Sequence, residues 1–253
     1  MPDPTSTGET SSWAKQQPAP EDEQHEVGGT YNRALHGRVA QTVEQRYDPY
    51  VERPQDGPHA QFGRQGLAVM AHSDPRQVAF GNLAAQIISQ LAGCLPAAVM
   101  FTSPSDGTGT TRTVLPLADA LSRQIGGRLL LVDADYRKAD LTARGGVYDH
   151  RGLWDAIHAP SEWRELVCRT DLPGVFLLPG ATQPLETDVS TVLGFRALLQ
   201  EVARHHRLVL VDAPSLANEG AVLLAKQCDG LYLVARLQHT SARALGDAAQ
   251  LLR

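Results

Sequence analysis

Three stretches of the chain are apolar without interruption: Ala97-Ala98-Val99-Met100-Phe101, Leu129-Leu130-Leu131-Val132 and Leu208-Val209-Leu210-Val211. A strand with one wet face would alternate apolar and polar residues, because successive side chains point to opposite sides. Unbroken runs therefore call for a sheet covered on both faces. Two weaker runs complete the set, so strands are expected at 97–102, 128–133, 174–178, 208–212 and 230–234. Helix-like stretches lie near 78–91, 111–125, 193–206, 217–226 and 241–252. Strand–helix alternation of this kind predicts an α/β fold, a mainly parallel sheet with helices on both faces. It does not predict the strand order.

The organised part of the chain is expected at 67–253, and residues 1–66 read as a polar, proline-rich, disordered tail. The tail holds seven of the sixteen prolines, the acidic cluster Glu21-Asp22-Glu23 and few large apolar residues. So little core cannot offset the entropy of ordering. A short helix over 33–46 is suggested by Leu35, Val39 and Val43; Tyr31, Tyr47 and Tyr50 read as ordinary exposed tyrosines. Cys94, Cys168 and Cys228 lack metal-ligand spacing and read as reduced packing residues of a cytoplasmic protein. A net charge of -5 argues against nucleic acid as a partner. No apolar run approaches the roughly 20 residues that span a bilayer, so any membrane association would come through a partner. His205-His206 reads as a solvated turn, and Trp154 and Trp163 as packing residues.

Three strand ends carry the chemistry. After the first run comes Ser103-Pro104-Ser105-Asp106-Gly107-Thr108-Gly109-Thr110-Thr111-Arg112-Thr113. Gly107 and Gly109 allow the dihedrals that turn several N–H groups toward phosphate oxygens. The following helix adds its positive end. Nucleotide-binding candidates are thus Gly107, Thr108, Gly109, Thr110, Thr111 and Arg112, with the Thr111 hydroxyl in the position that touches magnesium. The second run ends in Asp133-Ala134-Asp135-Tyr136-Arg137-Lys138, where two acids two residues apart share one side of the strand end. Such a pair holds a hydrated magnesium ion or takes a proton from an attacking hydroxyl. The third run ends in Asp212-Ala213-Pro214, at the sheet edge where ligands of parallel sheets bind.

These segments, "FTSPSDGTGTT", "LLLVDADYRK" and "LVLVDAP", resemble the bacterial protein-tyrosine kinase (BY-kinase) family of capsular and exopolysaccharide export, with "GLWDAI", "LLPG" and "CDGLYLVAR" in support. The resemblance covers about residues 74–253 and implies a P-loop NTPase-like fold. It implies that ATP or ADP and Mg2+ bind, with Thr111, Asp135 and Asp212 around the metal and Asp133 receiving a tyrosine proton. It also implies a cytoplasmic protein recruited to the inner face of the membrane by a polysaccharide chain-length or export protein.

Departures from the family pattern set the expectation for activity. Thr110 stands where the family carries a lysine, and Lys15, Lys138 and Lys226 are the only lysines in the chain. Losing one preorganised donor to developing charge costs about 2.7–4 kcal/mol, a hundred- to a thousand-fold in rate. Backbone N–H groups remain, so binding is expected to suffer less than catalysis. Lys138 is a better substitute cation than Lys226 or Arg112. Pro116 falls within the helix after the loop, where it removes a hydrogen bond. Val78, Gly81 and Ala84 occupy the places of the family's ring-forming Glu and two Arg residues, which puts that homo-oligomer in doubt, and no tyrosine follows Tyr232. The expected function is a degenerate tyrosine-kinase-like regulatory or interaction component of polysaccharide biosynthesis, with ATP and magnesium binding weak or lost. The alternative is an active ATP-dependent autokinase. A third class, partitioning ATPases with a second loop lysine, finds Ser105 at that position.

Overall fold

The computed structural model describes residues 59–62, 75–147, 151–180 and 188–252, together with the backbone of Glu219 but not its side chain. The helix read over 33–46, the three tail tyrosines and most of the segment 1–66 lie outside the described residues. The order of elements is β1 (His59–Ala60), α1 (Pro75–Gln90), β2 (Ala97–Thr102), α2 (Thr110–Ile125), β3 (Leu129–Asp133), α3 (Asp140–Arg144), α4 (Leu153–His158), α5 (Trp163–Leu166), β4 (Cys168–Thr170), β5 (Val175–Leu178), α6 (Val189–Val202), β6 (Leu208–Asp212), α7 (Glu219–Ala225), β7 (Gly230–Leu233) and α8 (Ala242–Leu251).

The strands form one sheet in the order β1-β4-β5-β3-β6-β2-β7. Pairing is parallel except between β4 and β5. The three unbroken runs become the central strands β3, β6 and β2, buried along their whole length. Each sends alternate side chains to opposite cores, as a two-sided sheet requires. Met100, Leu130, Val132, Val209 and Val211 pack with Trp163, Phe195 and Leu198 on one face. Val99, Phe101, Leu129, Leu131 and Leu210 pack with Ile87, Leu117 and Leu121 on the other. Parallel pairing puts the carboxyl ends of β2, β3 and β6 at one edge of the sheet.

Two features differ from the sequence reading. Residues 59–62, read as tail, belong to the sheet: β1 pairs with β4, and Ala60 and Phe62 are buried. His206 is buried, not solvated; its ring meets Trp163 and Phe176 edge-on, and burial pulls its pKa down to about 4. Pro116 lies inside the helix after the loop, as the sequence reading placed it, and the helix runs through it as a single element.

Two helical glycines separate packing from propensity. A Cβ on Gly194 of α6 would collide with the carbonyl oxygen of Ile157 at the end of α4 and approach Ile157 Cγ2 to 2.8 Å. A Cβ on Gly81 of α1 would meet nothing within 4 Å. Alanine at Gly81 should therefore stabilise the protein by about 0.5–1 kcal/mol, the ordinary helix gain. At Gly194 the collision outweighs that gain, and alanine should destabilise by about 1–3 kcal/mol. Urea denaturation of both variants checks the opposite signs; equal effects would show that α4 and α6 do not meet closely at Gly194.

Candidate functional site

The edge formed by the ends of β2, β3 and β6 gathers the motifs. Asp133 and Asp212 are register partners on adjacent parallel strands, and Phe101 pairs with Asp212 from the other side. The loop from β2 to α2 and both carboxylates therefore share one site.

The loop has the conformation that its glycines permit. Gly107 adopts φ +80° and Gly109 φ +97°, both left-handed. Side chains rarely tolerate this region, whereas glycine does so without steric cost. Gly109 is the N-cap of α2 and offers no side-chain cap. The N–H groups of Gly107, Gly109, Thr110 and Thr111 donate to no acceptor among the described residues. Unspent donors at the positive end of a 16-residue helix are what an anionic ligand needs.

Thr110 and Thr111 open that helix, and Arg112 follows on its exposed side. Thr108 Oγ1 is buried without a hydrogen-bond partner. The rim is laced to the segment after β6. Thr102 Oγ1 donates to the Pro214 carbonyl at 2.6 Å, Leu216 N donates to the Ser103 carbonyl at 2.8 Å, and Ser215 Oγ donates to Asp106 Oδ1 at 2.7 Å.

The two acids at the strand ends are handled differently. Asp133 is fully buried, and its Oδ2 accepts from both the N–H and the hydroxyl of Thr142 at 2.7 Å. Its Oδ1 accepts a longer bond, 3.2 Å, from Asp135 N. Burial raises its pKa to about 6 against these hydrogen bonds. Asp212 is 1% exposed, and neither carboxylate oxygen has a hydrogen-bond partner. Burial first, then the neighbouring Asp133, push its carboxyl well above the usual range. The Thr111 hydroxyl lies near enough to oppose that shift, though it makes no hydrogen bond of ordinary geometry with Asp212.

Asp135 is half-buried at the rim, and burial raises its pKa while Arg137 N and Lys138 pull it down. No group of three His, Cys, Asp or Glu side chains among the described residues is arranged to cage a metal. Magnesium does not require such a cage; it is held by one or two carboxylates, waters and substrate phosphates. The orphaned oxygens of Asp212 beside the Thr111 hydroxyl fit that kind of site.

Several functional neighbours were not legible in the sequence. Thr142, in α3, both donates to Asp133 and accepts from Gly180 N at 2.6 Å, so the end of β5 is fastened to the β3 acid. A Cβ on Gly180 would lie 3.3 Å from Asp133 Cγ, which gives the glycine of "LLPG" its reason. Asn218 Nδ2 donates to Ser215, which in turn donates to Asp106, and Arg137 Nη1 donates to Asn218 Oδ1, so the three loops are tied together. The Lys138 ammonium lies 3.8 Å from Asp106 Oδ1. Lys138 is thus the lysine that the fold brings to the loop.

No protein-family model matches the chain. EpsB of Ralstonia solanacearum, a protein named as a candidate tyrosine-protein kinase, is 28% identical over 195 residues, covering 76% of this chain and 25% of EpsB. The chain thus spans a quarter of that relative's length. The kinase domain of the Escherichia coli tyrosine kinase ETK superposes with TM-score 0.63 at 23% identity, covering 74% of both chains. Cobyrinic acid a,c-diamide synthase from Mycobacterium smegmatis, solved with ADP and magnesium, gives TM-score 0.54 at 20% identity over 62% of this chain and 66% of its own. The two structures establish a P-loop NTPase-like fold, and the sequence match bears out the kinship read from the three motifs.

The unpaired acid yields a stability test. Because the Asp212 pKa is raised in the folded state, the native protein keeps a proton that the unfolded chain releases above about pH 4. Stability is therefore lost as pH rises from there through the raised folded-state pKa. Asp212→Asn should stabilise the free protein by about 1–3 kcal/mol at pH 8, with the gain shrinking toward pH 4. Thermal melts at both pH values check this; a variant less stable at pH 8 would show that the carboxylate is satisfied after all.

Proposed function

We propose that this chain, a BY-kinase-like P-loop domain, binds a magnesium nucleotide at the joined ends of β2, β3 and β6. It serves as a regulatory or interaction component of polysaccharide biosynthesis and export, with phosphoryl transfer weak or lost. One observation carries the reading: a glycine loop with two left-handed glycines shares a sheet edge with two buried acids and opens a helix with the neutral Thr110, where the family resemblance implies a lysine. Thr111 and Asp212, with Asp135 at the rim, would hold the magnesium, which when bound would neutralise phosphate charge. The free N–H groups of the loop would grip phosphate oxygens.

The arrangement favours binding over turnover. Phosphoryl transfer depends on positioned positive charge more than on covalent chemistry. The loop supplies one cation fewer than the family pattern. Asp133, the residue expected to take a tyrosine proton, is fully buried, and each of its oxygens already accepts a hydrogen bond. A tyrosine hydroxyl has no open approach to it. The membrane polysaccharide partner is proposed from the family resemblance. No helix among the described residues is long and apolar enough to cross a membrane.

A second reading, an active tyrosine kinase, is favoured by the Lys138 ammonium beside the loop. In that reading the tyrosine oxygen forms the new bond to the γ-phosphorus, the β–γ bridge bond breaks, ADP departs, and Asp133 takes the phenolic proton. Transfer of labelled γ-phosphate by the purified protein separates the two. Wild type should sit at background, and Thr110→Lys should raise the rate by about a hundred- to a thousand-fold. Robust wild-type turnover that disappears in Asp133→Ala would establish the second reading instead.

A further inference from the structure

We infer that Lys138 is the cation through which this lysine-free loop engages nucleotide phosphate, and that Asp106 is the loop residue that docks its ammonium in the free protein. The inference rests on the proposed nucleotide-binding reading and adds to it the group that grips and the group that competes.

Four observations carry it. First, the ammonium is near the loop but uncommitted. Its one ion pair among the described residues is to Asp106 Oδ1 at 3.8 Å, beyond hydrogen-bond range. It donates no hydrogen bond to any described residue, so its three N–H groups remain available.

Second, Asp106 is held independently of Lys138. The same Oδ1 accepts the Ser215 hydroxyl at 2.7 Å, and Ser215 is buried. Asn218 Nδ2 donates to both the Ser215 carbonyl and its hydroxyl oxygen. When the ammonium leaves, Asp106 keeps its place and a donor.

Third, the backbone places Lys138 there at a cost. Lys138 N and Ala139 N both donate to the Asp135 carbonyl, at 3.1 and 2.7 Å, in a tight turn. Ala139 closes that turn at φ +45°, a left-handed conformation unfavourable for alanine. The turn sets Lys138 within electrostatic reach of Asp135, which its charge pulls down against the effect of burial.

Fourth, the charge of the site demands a cation. Asp133 and Asp212 are register neighbours, Asp106 acts on Asp135 and Asp135 on Asp212, and Thr110 at the helix start is neutral. Of the basic groups nearby, Arg112 and Arg137 form no ion pair with these acids among the described residues, and one guanidinium N–H of Arg137 is bonded to Asn218 Oδ1. A lysine on a flexible four-carbon stem can move from a carboxylate to a phosphate without moving the backbone. Incoming phosphate and Asp106 therefore compete for one ammonium.

Titration of a fluorescent ADP analogue in magnesium, with adenosine as a phosphate-free control, tests this. Lys138→Ala should weaken ADP binding by about 10- to 100-fold and leave adenosine binding unchanged. Lys138→Arg should retain most of the affinity, and Lys138→Ala combined with Thr110→Lys should recover it. Asp106→Asn should tighten ADP binding, because it frees the ammonium and removes a negative charge. Both residues are half-exposed, so the pair contributes little stability and melting temperatures should hold near wild type.

Wild-type protein that binds ADP as well as Lys138→Ala does would overturn the inference and leave the nucleotide-binding reading standing. Equal weakening by Lys138→Ala and Asp106→Asn would make the pair a structural tie only, which also overturns it. No binding by wild type at millimolar ADP would sink the reading and this inference together.

Discussion

Two carboxylates, Asp133 and Asp212, sit side by side on the β3–β6 ladder in the protein interior. At the strand spacing of about 4.8 Å, two such charges repel by about 3 kcal/mol at an effective dielectric of 20. The fold resolves this by treating them unequally. Asp133 receives three hydrogen bonds, two of them from Thr142, and these offset part of its desolvation. Asp212 receives none. One acid is built into the scaffold, while the other is left asking for a proton or a cation. The magnesium site proposed at Asp212 follows from this asymmetry.

The sheet can impose such a cost because its strand ends cannot drift. β3, β6 and β2 are buried on both faces, so a slip of one residue would send every core side chain to the wrong side. The segments leaving those strands are then laced together by Thr102 to Pro214, Leu216 to Ser103, Ser215 to Asp106 and Arg137 to Asn218. Thr142 joins the β5 end to Asp133 in the same way. The loop geometry is therefore held by neighbours as well as by its glycines.

The central strands were legible because burial on both faces leaves a plain sequence signal: 97–102 and 208–212 match the observed β2 and β6 at both ends. The edge of the sheet was not. β4 is three residues long with only Cys168 buried, and β1 contributes Ala60 from a polar surrounding, so neither gives a run to read. Helices α3, α4 and α5 are too short for periodicity to declare them. His205-His206 looked solvated because adjacent histidines say nothing about the Trp163 and Phe176 rings that enclose the second. At the site, Asp133, Asp135 and Asp212 were readable from their places at strand ends. Thr142, Ser215 and Asn218 were not, because each acts through a contact from a different loop. Lys138 was readable as a candidate; its partner Asp106 required the fold.

The substitution at Thr110 and the acid at Asp106 belong to one balance of charge. A loop lysine would place a fixed ammonium at the start of α2, on the same sheet edge as Asp133 and Asp212. In this chain the ammonium comes from outside, on the turn after β3, and docks on a carboxylate of the loop itself. A fixed cation is preorganised for the charge that develops during transfer; a cation that must leave a carboxylate first has part of its attraction cancelled beforehand. Ground-state grip survives that exchange more readily than rate, because unspent N–H groups and the helix terminus act on phosphate whether or not transfer occurs. On the proposed reading, the same residues favour a site that keeps its grip on phosphate while giving up part of its capacity to accelerate transfer.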